Sequence, residues 1–282
     1  KVKTFLLDTI GVGIAGTSGA KVADLIVLAK LWGDTPEATV WLTGERMSAQ
    51  SAAVVNAYKI HCLEFDCVHE GAVLHPMATI VSSVFAWAER ETQQGRVFNG
   101  RDLITALAVA VDVSTMLGVV TKAPLTFFRP ATAGGFGAVA AIGKLAGLDT
   151  LQLKNAFGAQ YAQTSGTLQP HVEGSPMLGL QLGFNSRAAI VATDLATADF
   201  RGPHDILTGP YGYFTLFEQD NYDIWPFLEN LGKDWQVLQL AHKPYPSGRL
   251  THGVVDGLGQ LMHAHSFEPS DIKKTPVRAN HT

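Results

Sequence analysis

Charge is scarce in this sequence. Only 16% of its 282 residues are Asp, Glu, Lys or Arg, and 21 basic residues face 25 acidic ones for a net of −4, with no basic tract. A nucleic-acid surface needs a clustered positive patch, and a helix lying on a bilayer needs a basic stripe. Neither is present, so neither nucleic acid nor membrane is expected among the partners. Cysteine is nearly absent as well. Cys62 and Cys67 are the two; five apart on a helix they point away from one another, which argues against a bridge and for a reducing, cytoplasmic setting. No apolar run looks long and uncharged enough to span a bilayer, and Asp8 interrupts the opening run Phe5–Gly16 in a way foreign to signal peptides. Internal repeats and low-complexity segments are missing too.

What is present is apolar and helical in texture. Hydrophobic residues make up 46% of the chain, enough for one large domain or one and a half with a sizeable core. Apolar periodicity predicts helices over 3–17, 22–32, 47–63, 77–90, 102–119, 150–164 and 178–197, and another to Leu145. The helix over 102–119 reads apolar all round, as at the centre of a bundle. Short extended runs are expected at 39–42 and 235–240, a helix at 251–263, and a further strand from Val277. Late strand, loop and helix after a long helical stretch indicate a mainly α chain. The expected division is a large all-helical domain over 1–232 and, over 233–282, the start of a smaller α+β lid domain.

Against that background one stretch stands out. His61-Cys-Leu-Glu-Phe-Asp-Cys-Val-His-Glu-Gly-Ala-Val-Leu-His-Pro76 gathers three histidines, three carboxylates and both cysteines into sixteen residues. Buried polar groups are costly unless paired or used, so acid/base chemistry is expected here. The helix from Met47 is expected to run into the cluster and end near Gly71, and His75-Pro76 reads as a fresh helix start. His61, Asp66, His69, Glu70 and His75 include metal-ligand types, but no His-Glu-x-x-His or compact ligand set is present. Acid/base work is therefore favoured over a metal site, which stays open as the lesser reading, while His61 and His69 as hydrogen-bonded core residues remain the plain alternative.

Three other motifs invite a functional reading. Gly11-Val-Gly-Ile-Ala-Gly16 matches the dinucleotide fingerprint in letters, but no strand precedes it and Asp34 and Glu37 lie ahead of the next strand-like run. Small residues for close helix packing account for it better. Thr132-Ala-Gly-Gly-Phe-Gly-Ala138, after a polar loop from Phe127, would offer free backbone N–H groups at a helix start beside Arg129, an arrangement that holds carboxylates. A capped helix whose glycines allow close packing is its alternative. Lys243-Pro-Tyr-Pro-Ser-Gly-Arg249 sets two cations on a proline-stiffened loop, where a solvated turn is the duller account.

Taken in order, Leu6-Leu-Asp-Thr-Ile-Gly-Val-Gly-Ile-Ala-Gly16, the 61–76 cluster, Arg129-Pro-Ala-Thr-Ala-Gly-Gly-Phe-Gly-Ala138 and Lys243-Pro-Tyr-Pro-Ser-Gly-Arg-Leu-Thr-His252 resemble the MmgE/PrpD family over essentially the whole chain. That family includes 2-methylcitrate dehydratase, cis-aconitate decarboxylase and an iminodisuccinate epimerase. The resemblance implies an all-helical domain, a smaller α+β lid, a homodimer and a metal-free site between the domains for a small polycarboxylate. Because the family continues past residue 282 and this chain opens on Lys1 rather than Met, a partial chain is expected. His75 and Lys243 match the family motifs, and Asp66 and His69 match common members. Three places depart: Glu64-Phe-Asp-Cys-Val68 stands where Asp-Phe-Asp-Asp-Thr is usual, Arg129 where a histidine precedes Pro, and Leu178 where a lysine is often found.

Reactions of this family loosen a bond beside a carboxylate, so cations and helix-start N–H groups are wanted where charge develops. The expected assignment makes Asp66, His69, His75 and Lys243 catalytic, with Asp66 orienting His69 or His75. Arg129, Thr132, Gly134, Gly135 and Arg249 are expected to bind substrate carboxylates. A dehydratase or decarboxylase is the first reading. An epimerase, or a catalytically weakened carboxylate-binding member, is the alternative.

Overall fold

The computed structural model describes residues 1–274 and Pro276; the strand expected from Val277 lies outside the described residues. In chain order the elements are α1 (Val2–Ala15), α2 (Val22–Trp32), β1 (Ala38–Thr39), β2 (Arg46–Met47), α3 (Ala49–His61), β3 (Val68–His69), α4 (Pro76–Gln93), α5 (Gly100–Val119) and α6 (Arg129–Ala146). Then come α7 (Thr150–Tyr161), α8 (Gln169–Glu173), α9 (Met177–Thr197), α10 (Tyr213–Phe217), α11 (Trp225–Asn230), β4 (Leu240–Ala241) and α12 (His252–His265). The chain is thus mainly α, with a small β-containing region consistent with an α+β lid.

Burial decides which helices are central. Alanine and valine fill α3, and every residue of it except Gln50 is buried; α6 is buried from Arg129 to Gly143. These two pack with α4 and α9, while α1 and α2 cover α3 and α7 lies over α6 and α9. The helix expected at the centre, α5, instead flanks α6 and α4. By length and composition α5 would suffice to cross a membrane, against the sequence expectation, and half of its apolar window is buried inside the bundle.

Two of the three glycines of the fingerprint-like motif, Gly13 and Gly16, serve packing. A Cβ on Gly16 would stand 1.9 Å from the Lys59 carbonyl oxygen of α3, and one on Gly13 would stand 2.9 Å from the Trp41 ring. Close approach to α3 therefore requires Gly16, and the fit under Trp41 and Ile60 requires Gly13. Capping follows local chemistry elsewhere: Ser48 accepts from the Ser51 N–H to open α3, and Asp149 with Gln152 forms a capping box at α7.

Among the described residues two sheets of two strands complete the framework. β1 and β2 pair antiparallel through Ala38–Met47 and Thr39–Arg46. The second sheet matters more for the site, because β3 pairs with β4 through Val68–Ala241 and His69–Leu240. It stitches the late part of the chain onto the helical domain. The run expected to be a strand over 235–240 is a 3₁₀ turn at Gln236–Gln239 that delivers β4.

Candidate active site

The helix carrying the polar cluster stops ten residues earlier than expected. α3 ends at His61 with Cys62 as its cap, and Glu64 stands in the left-handed region at φ 56°. Continued as a helix, His61 and Asp66 would lie about 140° apart around the axis. Leaving the helix lets His61 Nδ1 meet Asp66 Oδ2 at 2.9 Å. The chain then forms β3, turns through Val73 at φ 50°, and bridges His69 to Leu74. A β-branched residue there costs roughly 1–2 kcal/mol. The turn sets His75 as the residue before Pro76 at the start of α4, as the sequence predicts. Cys62 and Cys67 are both free thiols, separated by this unwinding rather than by helical spacing.

Four charges close on one another at this point. Lys243 Nζ, arriving from the loop after β4, is buried 2.9 Å from Glu64 Oε2 and 3.6 Å from Asp66 Oδ1. His61 Nε2 lies 3.2 Å from Glu64 Oε1, out of line for a hydrogen bond. Burial alone would strip His61 of its proton, but Asp66 and Glu64 outweigh it and carry its pKa to about 10. Burial likewise opposes ionisation of Asp66 and Glu64, yet His61, with His75 beside Asp66 and Lys243 beside both, holds them below the usual carboxylate range. Two carboxylates thus face two cations, the balance a buried ionic cluster needs.

His75 stands beside this cluster as its neutral member. Its ring lies 5.4 Å from that of His61, its Nδ1 3.7 Å from Asp66 Oδ2 and 3.1 Å from the Cys67 carbonyl oxygen. A carbonyl only accepts, so Nδ1 carries the proton and Nε2 keeps a lone pair. Burial, with Lys243 and His61 adding to it against the pull of Asp66, lowers the pKa of His75 to about 4. The side chain keeps 16% exposure and Glu64 keeps 31%, so the cluster opens outward at these two residues. A hollow of about 520 Å³ near Phe85, Glu89, Arg96 and Phe98 lies toward the other end of α4, and no candidate site residue lines it.

Of the residues expected to act together, Asp66, His75 and Lys243 converge and the others do not. His69 accepts from the Ala72 N–H through Nδ1 and contacts Gln236 Oε1 through Nε2 at 3.1 Å; Asp66 orients His61 instead. Arg129 is buried in a two-pronged pair with Glu218, Nε to Oε1 and Nη2 to Oε2 both at 3.0 Å, and donates to the Ala72 carbonyl. Its charge is satisfied within the protein. Arg249 pairs with Glu70 at the surface, 2.7 Å apart.

The anion cradle expected at 132–138 is not a helix start, because α6 begins at Arg129 with Pro130 in its first turn. Thr132 bonds the Tyr213 hydroxyl at 3.0 Å. Gly134 admits Thr79 of α4, and Gly135 admits Asn185 and Gln160. The close-packing alternative therefore accounts for both glycines. Sequence reasoning missed Glu218 and left His61 and Glu64 without roles. The one signal for Glu218 was an acid directly after the uncharged run Tyr213–Phe217. Among the described residues no group of three or more His, Cys, Asp or Glu side chains is placed to hold a metal ion.

Comparison with known proteins agrees with the motifs. Human cis-aconitate decarboxylase is 26% identical over 293 residues, covering 98% of this chain and 59% of that protein. A cis-aconitate decarboxylase-like protein of Aspergillus oryzae is 29% identical over 281 residues, covering 93% and 56%. Cis-aconitate decarboxylase of Aspergillus terreus is 27% identical over 232 residues, covering 79% and 47%. The chain spans about half the length of these relatives. With the MmgE/PrpD N-terminal domain matched over residues 1–224, and the 61–76 cluster and the Lys243 loop meeting in space, the chain belongs to the MmgE/PrpD family.

Proposed function

We propose that the protein is a lyase that acts on a small di- or tricarboxylate by moving a proton at the carbon beside a carboxylate, with His75 as base and no cofactor required. The observation that carries this reading is the neutral His75 ring, tautomer set by the Cys67 carbonyl, at the opening of a buried and charge-balanced cluster. Its Nε2 lone pair is free to take a proton at neutral pH; in a dehydration the C–H electron pair then forms the alkene as the neighbouring hydroxyl leaves as water, and in a decarboxylation the pair freed by loss of CO₂ instead takes a proton at that carbon. Lys243 supplies the cation toward which the resulting enediolate charge would build. Glu64, the partly exposed partner of the buried Lys243 ammonium, would yield that cation to an entering substrate carboxylate. Asp66 holds His61 and Lys243 in place rather than touching substrate.

The names of the relatives make cis-aconitate the first substrate to try, with citrate, 2-methylcitrate and an iminodisuccinate analogue beside it. The full-length protein would be incubated with each in deuterated water. Loss of CO₂ marks a decarboxylase, alkene formation a dehydratase, and exchange without net loss an epimerase. His75→Gln and Lys243→Met are each expected to lower turnover by about a hundredfold with the fold retained. Wild-type turnover in both variants would overturn the assignment. Division of the chain at 232/233 and assembly as a homodimer belong to the same proposal.

A further inference from the structure

Asp8 is the one charged residue in the run Phe5–Gly16, and helical packing gives it no reason to be there. Its Oδ1 lies 3.1 Å from His242 Nδ1, while its Oδ2 is buried with no hydrogen-bond partner among the described residues. Burial raises the pKa of this carboxyl, and the nearby charge of Asp66 adds to it. A half-satisfied acid is a cost in a bundle that an apolar residue would avoid. Phe5, one turn earlier on α1, stacks on the same His242 ring at 4.5 Å and 23°.

His242 immediately precedes Lys243. Four consecutive residues are therefore each docked on the helical domain: Leu240 and Ala241 pair with β3, His242 sits on α1, and Lys243 enters the charge cluster. A strand of two residues pins its own register weakly, and a slip by one residue sends every side chain to the opposite face. Such a slip would turn Lys243 out and leave Glu64 and Asp66 with one of their two cations removed. We propose that Asp8 and Phe5 are positioning residues, a clamp on His242 that fixes the register of the 240–243 segment and so aims Lys243 into the site. The claim of a catalytic consequence rests on the lyase reading; the claim of a clamp on Lys243 does not.

The test uses the full-length protein with Asp8→Leu, Asp8→Asn and His242→Leu, and Asp24→Asn in the exposed Lys21–Asp24 pair as control. Lys243 acetylation by a water-soluble amine reagent is followed by peptide mass spectrometry, alongside kcat, KM and Tm. Removal of a partly exposed polar contact predicts acetylation of Lys243 faster by about fivefold in Asp8→Leu and His242→Leu, with less change in Asp8→Asn, whose side chain still accepts a hydrogen bond. Misplacement of the ammonium predicts kcat lower by roughly tenfold, with KM raised as the substrate carboxylate loses its partner. Because Asp8→Leu also removes an orphaned acid, its Tm is expected to hold or rise while kcat falls, a divergence no merely structural role produces. Lys243 acetylation at the wild-type rate in both leucine variants overturns the clamp. Should Asp8→Leu not fold, His242→Leu, at a half-exposed loop position, decides alone. If the wild type turns over no carboxylate the lyase reading falls, and Lys243 acetylation still decides the clamp.

Discussion

His61 and His75 have rings 5.4 Å apart and titrate in opposite directions. Composition has no part in this, since they are the same residue type; what differs is that carboxylates flank His61 on both nitrogens whereas His75 is buried with its Nδ1–H donating to a carbonyl. The folded His61 pKa of about 10 lies above the unfolded value near 6.5. Its contribution to stability is thus complete below about pH 6.5 and lost as pH rises through about 10. For His75, with a folded value of about 4, the contribution is complete above about 6.5 and lost as pH falls toward 4. Denaturant unfolding against pH should accordingly show an alkaline decline, and His61→Gln should remove about one proton's slope from it, ~1.4 kcal/mol per pH unit. An unchanged slope would mean His61 is not the group that titrates. Lys243→Met removes a cation that depresses His75, so the His75 ring, followed by NMR, should titrate at higher pH than in the wild type.

Helix α1 shows how one motif divides by what it packs against. A Cβ on Gly16, the residue that caps the helix, would collide with backbone of α3, whereas Gly11, within it, meets nothing within 4 Å. Overpacking against a carbonyl predicts a loss of roughly 1–3 kcal/mol for Gly16→Ala. Alanine at Gly11 should instead be neutral or stabilise by up to about 1 kcal/mol, because mid-helix glycine is unfavourable. Equal effects on Tm at the two positions would refute the close-packing account of the motif. At α6 the element begins three residues before Thr132, and that shift alone turns an imagined row of free N–H groups into ordinary intrahelical donors. Proline at the first turn was the local cue to the true start.

Across the whole molecule, the contacts that build the site join residues far apart in the chain. Arg129 meets Glu218 across 89 positions and Lys243 meets Glu64 across 179. The buried Arg129–Glu218 pair ties α10 to α6, and through the Ala72 carbonyl it holds the turn that delivers His75. Glu218→Gln should leave the guanidinium without its counter-charge and cost about 3–5 kcal/mol in denaturant unfolding. Arg129→Met combined with Glu218→Leu should recover most of that; additive losses would show that the two residues do not act as a pair. Most helices were legible to within a few residues, because apolar periodicity and capping residues are local properties that survive whatever the helix packs on. Legible too were the polar cluster, the start of α4 at His75-Pro76 and the family. Beyond the chain's reach were the end of α3 at His61, the pairing of Arg129 with Glu218, and the docking of His242 on α1. The amino-acid order by itself determined where helices could form and which segment carried acid/base groups. Only the tertiary structure decided which of those groups face one another, because charge pairing and burial depend on the distance between side chains in space, and spacing along the chain does not determine that distance.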